Sequence, residues 1–118
     1  MNIRLYVAKG EVVAHAAGDV IFQRGDPGHL MYVVKSGEVE LRVGGDTVEV
    51  VKEDGFFGEM ALIEEGPRTA TAVARTNCAL IPINEKRFEF MVHETPLFAL
   101  HMLKGLSKRL RNVNAGSV

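Results

Sequence analysis

Between Glu11 and Ile83 the apolar positions fall in short runs rich in β-branched and aromatic residues, the pattern of strands rather than helices. The runs are Val12–Ala14, Val20–Phe22, Met31–Val34, Val39–Val43, Thr47–Val51, Thr71–Val73 and Ala79–Ile81. Turn residues punctuate them: Gly18-Asp19, Gly25-Asp26-Pro27-Gly28, Ser36-Gly37, Gly44-Gly45-Asp46, Asp54-Gly55 and Thr76-Asn77. Turn signals at intervals of about eight to twelve residues predict a sandwich or small barrel. Strict alternation is clearest in Val39-Glu40-Leu41-Arg42-Val43, which places the apolar set on one face and Glu40 and Arg42 on the other. Gly44-Gly45 before Asp46 predicts a tight hairpin between two of these strands.

Past Ile83 the period changes from two to that of a helix. Asn84 is a candidate N-cap, Glu85 suits the positive end of the helix dipole, and Phe88, Met91 and Val92 recur at helical spacing over about residues 84–93. A second helix over about 95–113 starts with Thr95 as cap and Pro96 in the first helical position, where its missing N–H is harmless. Ala99, Leu103, Leu106, Leu110 and Val113 follow a four-three spacing along it. That stripe suits packing on the chain's own sheet, a lid, or a parallel helix pair in a homodimer. Lys104, Lys108, Arg109 and Arg111 read as solubilising cations that favour the helix's C-terminal end, with the rival reading that one closes over a ligand.

Composition narrows the function more than the fold. The chain has 118 residues, 47% hydrophobic and 25% charged, the proportions of one globular domain, here taken as residues 1–118 with a β unit over about 11–83. Fourteen Lys and Arg against fifteen Asp and Glu leave a formal net charge of −1, unlike a protein that neutralises many nucleic-acid phosphates. Direct nucleic-acid binding is not expected. No apolar run approaches the roughly 20 residues that span a bilayer, and the N-terminus lacks a signal peptide's apolar core, so no membrane insertion and a cytoplasmic location are expected. The single cysteine, Cys78, sits in an apolar run and reads as a small buried hydrophobe.

The chemistry concentrates in residues 56–72, FFGEMALIEEGPRTATA, a connection longer than a turn on an otherwise short-looped β scaffold. Met60-Ala61-Leu62-Ile63 is long enough for a helical turn. Gly58 before it can adopt positive φ and let backbone N–H groups approach an anion. Arg68, introduced by Pro67, offers a planar fork suited to two phosphate oxygens. Glu59, when ionised, only accepts hydrogen bonds, so its natural partner is a neutral donor such as a ribose hydroxyl. Together they describe a nucleotide whose phosphate lies close to its own ribose. The plainer alternative, a surface salt bridge between Glu59 and Arg68, leaves Gly58 and the apolar run between them without a purpose.

Phe57-Gly58-Glu59-Met60-Ala61-Leu62 followed by Pro67-Arg68-Thr69-Ala70-Thr71-Ala72 resembles the phosphate-binding cassette of the cyclic nucleotide-binding domain family. That family includes catabolite-activator-type regulators, cyclic-AMP-dependent kinase regulatory subunits and cyclic nucleotide-gated channels. The resemblance extends over Ala17–Phe22, Gly25–Gly28, Met31–Val34 with Ser36–Val39, and the Thr95–Phe98 helix start, nearly the whole chain. It implies a mainly β fold, an antiparallel eight-stranded β-roll of jelly-roll topology, with a short cassette helix and two C-terminal helices.

The ligand-binding set it implies is Phe57, Gly58, Glu59, Met60, Ala61, Arg68, Thr69 and Ala70, with Glu59 on the ribose 2′-hydroxyl and Arg68 on the cyclic phosphate. Backbone N–H groups at Gly58, Met60, Ala61 and Thr69 or Ala70 complete the cradle. The family's commonest ligand is cAMP, and a Thr hydroxyl at position 69 can also meet the 2-amino group of a syn guanine, which keeps cGMP open. The transcriptional relatives continue into a helix-turn-helix, whereas this chain ends at Val118 soon after its second helix. An effector protein, or a further part of a longer protein, is therefore the expected output partner.

The resemblance points to a signal-transducing regulatory domain and not an enzyme. His15, His29, His93 and His101 are scattered, with no His-x-His pair or acid at metal-ligand spacing, which counts against a cupin-like metalloenzyme on a similar roll. One cysteine is too few for an iron–sulfur centre. No catalytic triad or carboxylate pair is visible at useful spacing. The remaining alternative is a protein-interaction module that keeps the fold without a small ligand, and the presence of both Glu59 and Arg68 weighs against it.

Overall fold

A computed structural model describes residues 11–64 and 66–116, with side chains described as far as residue 112. Eight strands are β1 (Val13–His15), β2 (Val20–Phe22), β3 (Leu30–Ser36), β4 (Val39–Val43), β5 (Asp46–Val51), β6 (Phe56–Phe57), β7 (Thr71–Ala74) and β8 (Cys78–Asn84). Helix α1 (Met60–Ile63) follows β6, and α2 (Glu85–Glu94) and α3 (Pro96–Gly116) follow β8. Strand order is β1-β8-β3-β6 in one sheet and β2-β7-β4-β5 in the other, with every pairing antiparallel. Two four-stranded sheets with these orders make the jelly roll that the resemblance implies.

The β1-β8-β3-β6 sheet is the middle of three layers, which explains its sequences. Met31, Val33, Ile81 and Ile83 face α2 and α3, where they join Phe56, Met91, Phe98 and Met102 in one core cluster. Val34, Cys78 and Leu80 face the other sheet and join Val39, Val51, Phe57, Ala72 and Ala74 in a second. A strand buried on both sides has no polar face, so β3 and β8 read as continuous apolar runs. The β2-β7-β4-β5 sheet has a solvated outer face, and alternation survives in β4: Arg42 donates to Glu40 there at 2.6 and 2.9 Å. Pro82, inside β8, is tolerated because β1 pairs only with Cys78, Ala79 and Leu80, so its missing N–H falls beyond the end of β1.

Local chemistry fixes the turns and helix starts. Gly44 and Gly45 have φ of 62° and 85° between the paired Val43 and Asp46, the two positive values that a tight hairpin turn requires. Asn84 caps α2 by accepting from Arg87 N–H at 2.8 Å, and α3 begins at Pro96. The apolar stripe on α3 does not form one face. Phe98, Met102 and Leu106 turn inward, whereas Leu103 and Leu110 are 63% and 61% exposed, and the side chain of Val113 lies outside the described residues. The stretch expected to be a single connection holds a strand of its own. Phe56 and Phe57 pair with Val33 and Tyr32, a two-residue strand too short to register as a periodic run.

Helix α3 approaches the roll closely because residue 105 is glycine: a Cβ there would lie 2.6 Å from Cε1 of Phe56. Glycine costs helix propensity, so Gly105→Ala gains about 1 kcal/mol intrinsically but forces a well-packed ring aside. The account expects a net loss of about 1–2 kcal/mol, seen as a lower denaturation midpoint. An unchanged or higher midpoint would show that α3 does not seat on Phe56. His101, one turn earlier, lies 6.2 Å from the same ring, and burial holds its pKa below the ordinary 6.5, aided by Lys104 and opposed by Asp54. The unfolded chain then binds this proton more tightly than the folded one. This contribution to stability is complete above 6.5 and is lost as pH falls through the depressed folded value. Melting curves between about pH 7.5 and 5.5 should show wild type losing more stability than His101→Gln, and parallel losses would refute the assignment.

Candidate functional site

The site begins with a strap. The turn after β2 carries Gly25-Asp26-Pro27-Gly28, and its backbone clasps the cassette: Arg68 N–H donates to Asp26 O at 2.8 Å and Gly25 N–H to Arg68 O at 2.9 Å. Pro27 and Pro67 form a β-bridge between the same segments. The Asp26 carboxylate accepts from Gln23 N–H at 3.0 Å and shapes the strap's own turn. Position 68 is thus held by its main chain on both sides, and its side chain has one direction left.

That side chain is buried against carbonyls and an aromatic ring. Arg68 Nη2 donates to Leu30 O at 2.8 Å, Nη1 donates to Gly58 O at 3.2 Å, and Cζ lies 4.0 Å from the centre of the Phe22 ring. Gly58 has φ of 77°, and a Cβ on it would sit 2.8 Å from Arg68 Nη1, so conformation and space both require glycine. Gly28 closes the other side, where a Cβ would come within 2.7 Å of Arg68 Nε.

Nε itself is buried and has no hydrogen-bond partner. Among the described residues no carboxylate lies within ion-pair distance of Arg68. Burial pushes the guanidinium's pKa below its ordinary value, with Tyr32, Asp26 and Glu59 pulling the other way. A desolvated cation lacking an anionic partner is costly, and an incoming anion relieves that cost.

Glu59 stands at the N-cap of α1 but makes no side-chain cap bond. Its Oε1 accepts from Arg109 Nη1 at 2.9 Å, so the ion pair with Arg68 is absent and the partner comes instead from α3. Arg109 also donates through Nε to both oxygens of Glu49 on β5 at 3.0 Å and through Nη2 to Phe56 O, and its Cζ stacks 4.6 Å from the Phe56 ring centre. The expectation that Arg109 serves solubility and the helix dipole is corrected here. It spans two carboxylates from two walls, and the separations of 50 and 60 residues that produce this are invisible to local patterns.

These groups enclose a cavity of about 550 Å³, within the usual range for small-molecule sites. Gly58, Glu59, Met60, Ala61, Arg68, Thr69 and Ala70, all expected at the site, line it together with Leu41, Val43, Val48, Glu49 and Arg109. Phe57 does not line it: fully buried, it stacks on Tyr32 at 5.3 Å and supports the cavity from the core. Ala61 N–H, one of the expected cradle donors, points at Gly58 O at 3.3 Å. Glu59 and Arg68, 6% and 8% exposed, are the buried charged residues among those described, and both face this cavity. A second hollow of about 730 Å³ beside His29 and Lys86 contains neither. Among the described residues no cluster of His, Cys, Asp or Glu is spaced to hold a metal, and no helix is long and apolar enough to cross a membrane.

Comparison with known proteins agrees with this geometry. The family profile described as "Cyclic nucleotide-binding domain" matches residues 7–95. The cAMP-dependent protein kinase regulatory subunit of Dictyostelium discoideum is 42% identical over 85 residues, covering 68% of this chain and 26% of that protein. The crystal structure of Thermus thermophilus catabolite activator protein superposes with a TM-score of 0.82 at 30% identity, over 98% of this chain and 56% of that one. A structure from work headed "A cyclic-GMP-dependent signalling pathway regulates bacterial phytopathogenesis" superposes with a TM-score of 0.80 at 28% identity, over 94% of this chain and 92% of that one. The chain spans from 20% to 47% of the length of the curated relatives it matches. The profile covers the β-roll with both Glu59 and Arg68, and the chain belongs to the cyclic nucleotide-binding domain family.

Proposed function

We propose that the chain is a regulatory module that takes a purine 3′,5′-cyclic nucleotide into this cavity and couples its occupancy to the position of α3. The observation that carries the reading is Arg68, buried, with Nε unused and with no anionic partner in ion-pair distance among the described residues. A cyclic phosphate supplies the missing charge and accepts from the guanidinium in the geometry that arginine offers best. Backbone N–H groups at Gly58, Met60 and Thr69 or Ala70 are within the same cradle. The ribose 2′-hydroxyl then donates to Glu59, which only accepts. Phosphate and ribose are common to cAMP, the ligand in the Dictyostelium relative's name, and to cGMP, so these contacts admit both.

Coupling runs through Arg109. Its Nη1 holds Glu59 while its Nε holds Glu49. A ribose hydroxyl donating to Glu59 lands on the same carboxylate that Nη1 uses, so affinity for the ligand depends on whether α3 is seated. That difference in affinity between helix positions is what a ligand needs to shift the equilibrium. The output partner is then a protein surface that distinguishes the two positions of α3.

Arg68→Ala should weaken nucleotide binding by about 2–5 kcal/mol in calorimetry on protein stripped of carried-over ligand. Because Arg68 also bridges Leu30 and Gly58, Arg68→Lys, checked by thermal melting, serves as the second variant and should recover only part of the affinity. Full affinity in a folded Arg68→Ala protein would remove the phosphate seat. For the coupling, nucleotide should change amide exchange in the last turns of α3 in wild type, and Arg109→Ala should abolish that change while still binding. An identical ligand-induced change in the variant would place the coupling elsewhere.

A further inference from the structure

The contacts proposed above treat both purines alike, and the far end of the cavity does not. β5 pairs with β4 in the register Val39↔Val51, Glu40↔Val50 and Leu41↔Glu49, then jumps to Arg42↔Thr47. Val48 is left over, a β-bulge. In an unbroken strand Val48 and Glu49 would point to opposite faces, yet both line the cavity. Re-aiming a side chain beside a site is a recognised use of a bulge.

With the phosphate at Arg68 and the ribose at Glu59, the base extends along the remaining wall, which is β4, β5 and the last turns of α3. Leu41, Val43 and Val48 give that wall its apolar surface, suited to the face of a flat ring. Glu49, 31% exposed, gives it a charged edge. Arg109 donates through Nε to both Glu49 oxygens at 3.0 Å, and its Nη2 lies 3.0 Å from Oε2, which fixes the carboxylate's orientation. A carboxylate has about four acceptor sites, more than these bonds consume.

We infer that Glu49, set into the cavity opposite Leu41 and held by Arg109, is the residue that selects the base, and that it selects guanine. The inference rests on the cyclic-nucleotide reading of the site. An ionised carboxylate accepts and never donates. Guanine presents N1–H and its 2-amino group side by side, two donors for two oxygens. Adenine presents one donor, its 6-amino group, beside the bare lone pair of N1, which would face a carboxylate oxygen. The expectation of cAMP came from the family's commonest ligand, and the preference inferred here comes from the wall itself.

The test is calorimetric titration of stripped wild type, Glu49→Gln and Glu49→Ala with cGMP and cAMP, each protein first shown to melt cooperatively. Wild type should bind cGMP about tenfold or more tighter than cAMP. Glu49→Gln should erase most of the preference, because an amide carries one acceptor and one donor and so matches adenine's 6-amino and N1 as well as guanine's N1–H and O6. Glu49→Ala should bring the two nucleotides to within about threefold of each other. A wild-type preference for cAMP, or a ratio unmoved by both substitutions, overturns the assignment of Glu49 and leaves the site standing. Failure of wild type to bind either nucleotide overturns the cyclic-nucleotide reading itself, and the role of Glu49 with it.

Discussion

The architecture of the site depends on one buried cation. Arg68 reaches the interior with two carbonyls, one aromatic face and, among the described residues, no carboxylate within ion-pair distance, an arrangement that costs several kcal/mol unless something compensates. Much of the surrounding sequence serves to hold it there. The Gly25–Gly28 strap fixes its main chain, Gly28 and Gly58 leave room for the guanidinium, and Pro67 bridges to Pro27. A fold seeking only stability would put a carboxylate beside it or replace it with an apolar side chain. Keeping the charge buried and unneutralised makes physical sense for a protein that is completed by an anion.

The three-layer build then decides what else meets the ligand. Because the middle sheet is buried on both faces, α2 and α3 pack on its outer side, and Gly105 lets α3 close on Phe56. That contact brings Arg109 to the cavity mouth, where it links Glu59 from the cassette to Glu49 from the bulged strand. One guanidinium therefore reports on both walls. A group that bridges two parts of a site and shares a carboxylate with a ligand is a simple way to connect occupancy to a helix.

Much of this was legible in the sequence, and the limits have physical causes. Strands with one solvated face, such as β4, declare themselves by alternation, and the Gly44-Gly45 hairpin and the Asn84 cap of α2 follow from local chemistry. The cassette was visible because Gly58, Glu59 and Arg68 lie within a few residues of one another. β6 was not, since two residues carry no period. Arg109 and Glu49 escaped for another reason: each looks like an ordinary surface charge until tertiary packing brings together residues 60 apart. The pairing that puts Glu49 opposite Leu41 depends on the register of two strands, which residue pattern alone does not specify. The stripe on α3 misled in the same way, because which leucines face inward depends on how Gly105 seats the helix.

The most direct test of the central claim is a crystal structure of the chain with a purine cyclic nucleotide bound. The account predicts cyclic phosphate oxygens within about 3 Å of Arg68 guanidinium donors, and the ribose 2′-hydroxyl donating to the Glu59 carboxylate that Arg109 Nη1 also contacts. A nucleotide bound elsewhere, or one whose phosphate faces solvent while Arg68 keeps only its two carbonyls, would contradict it.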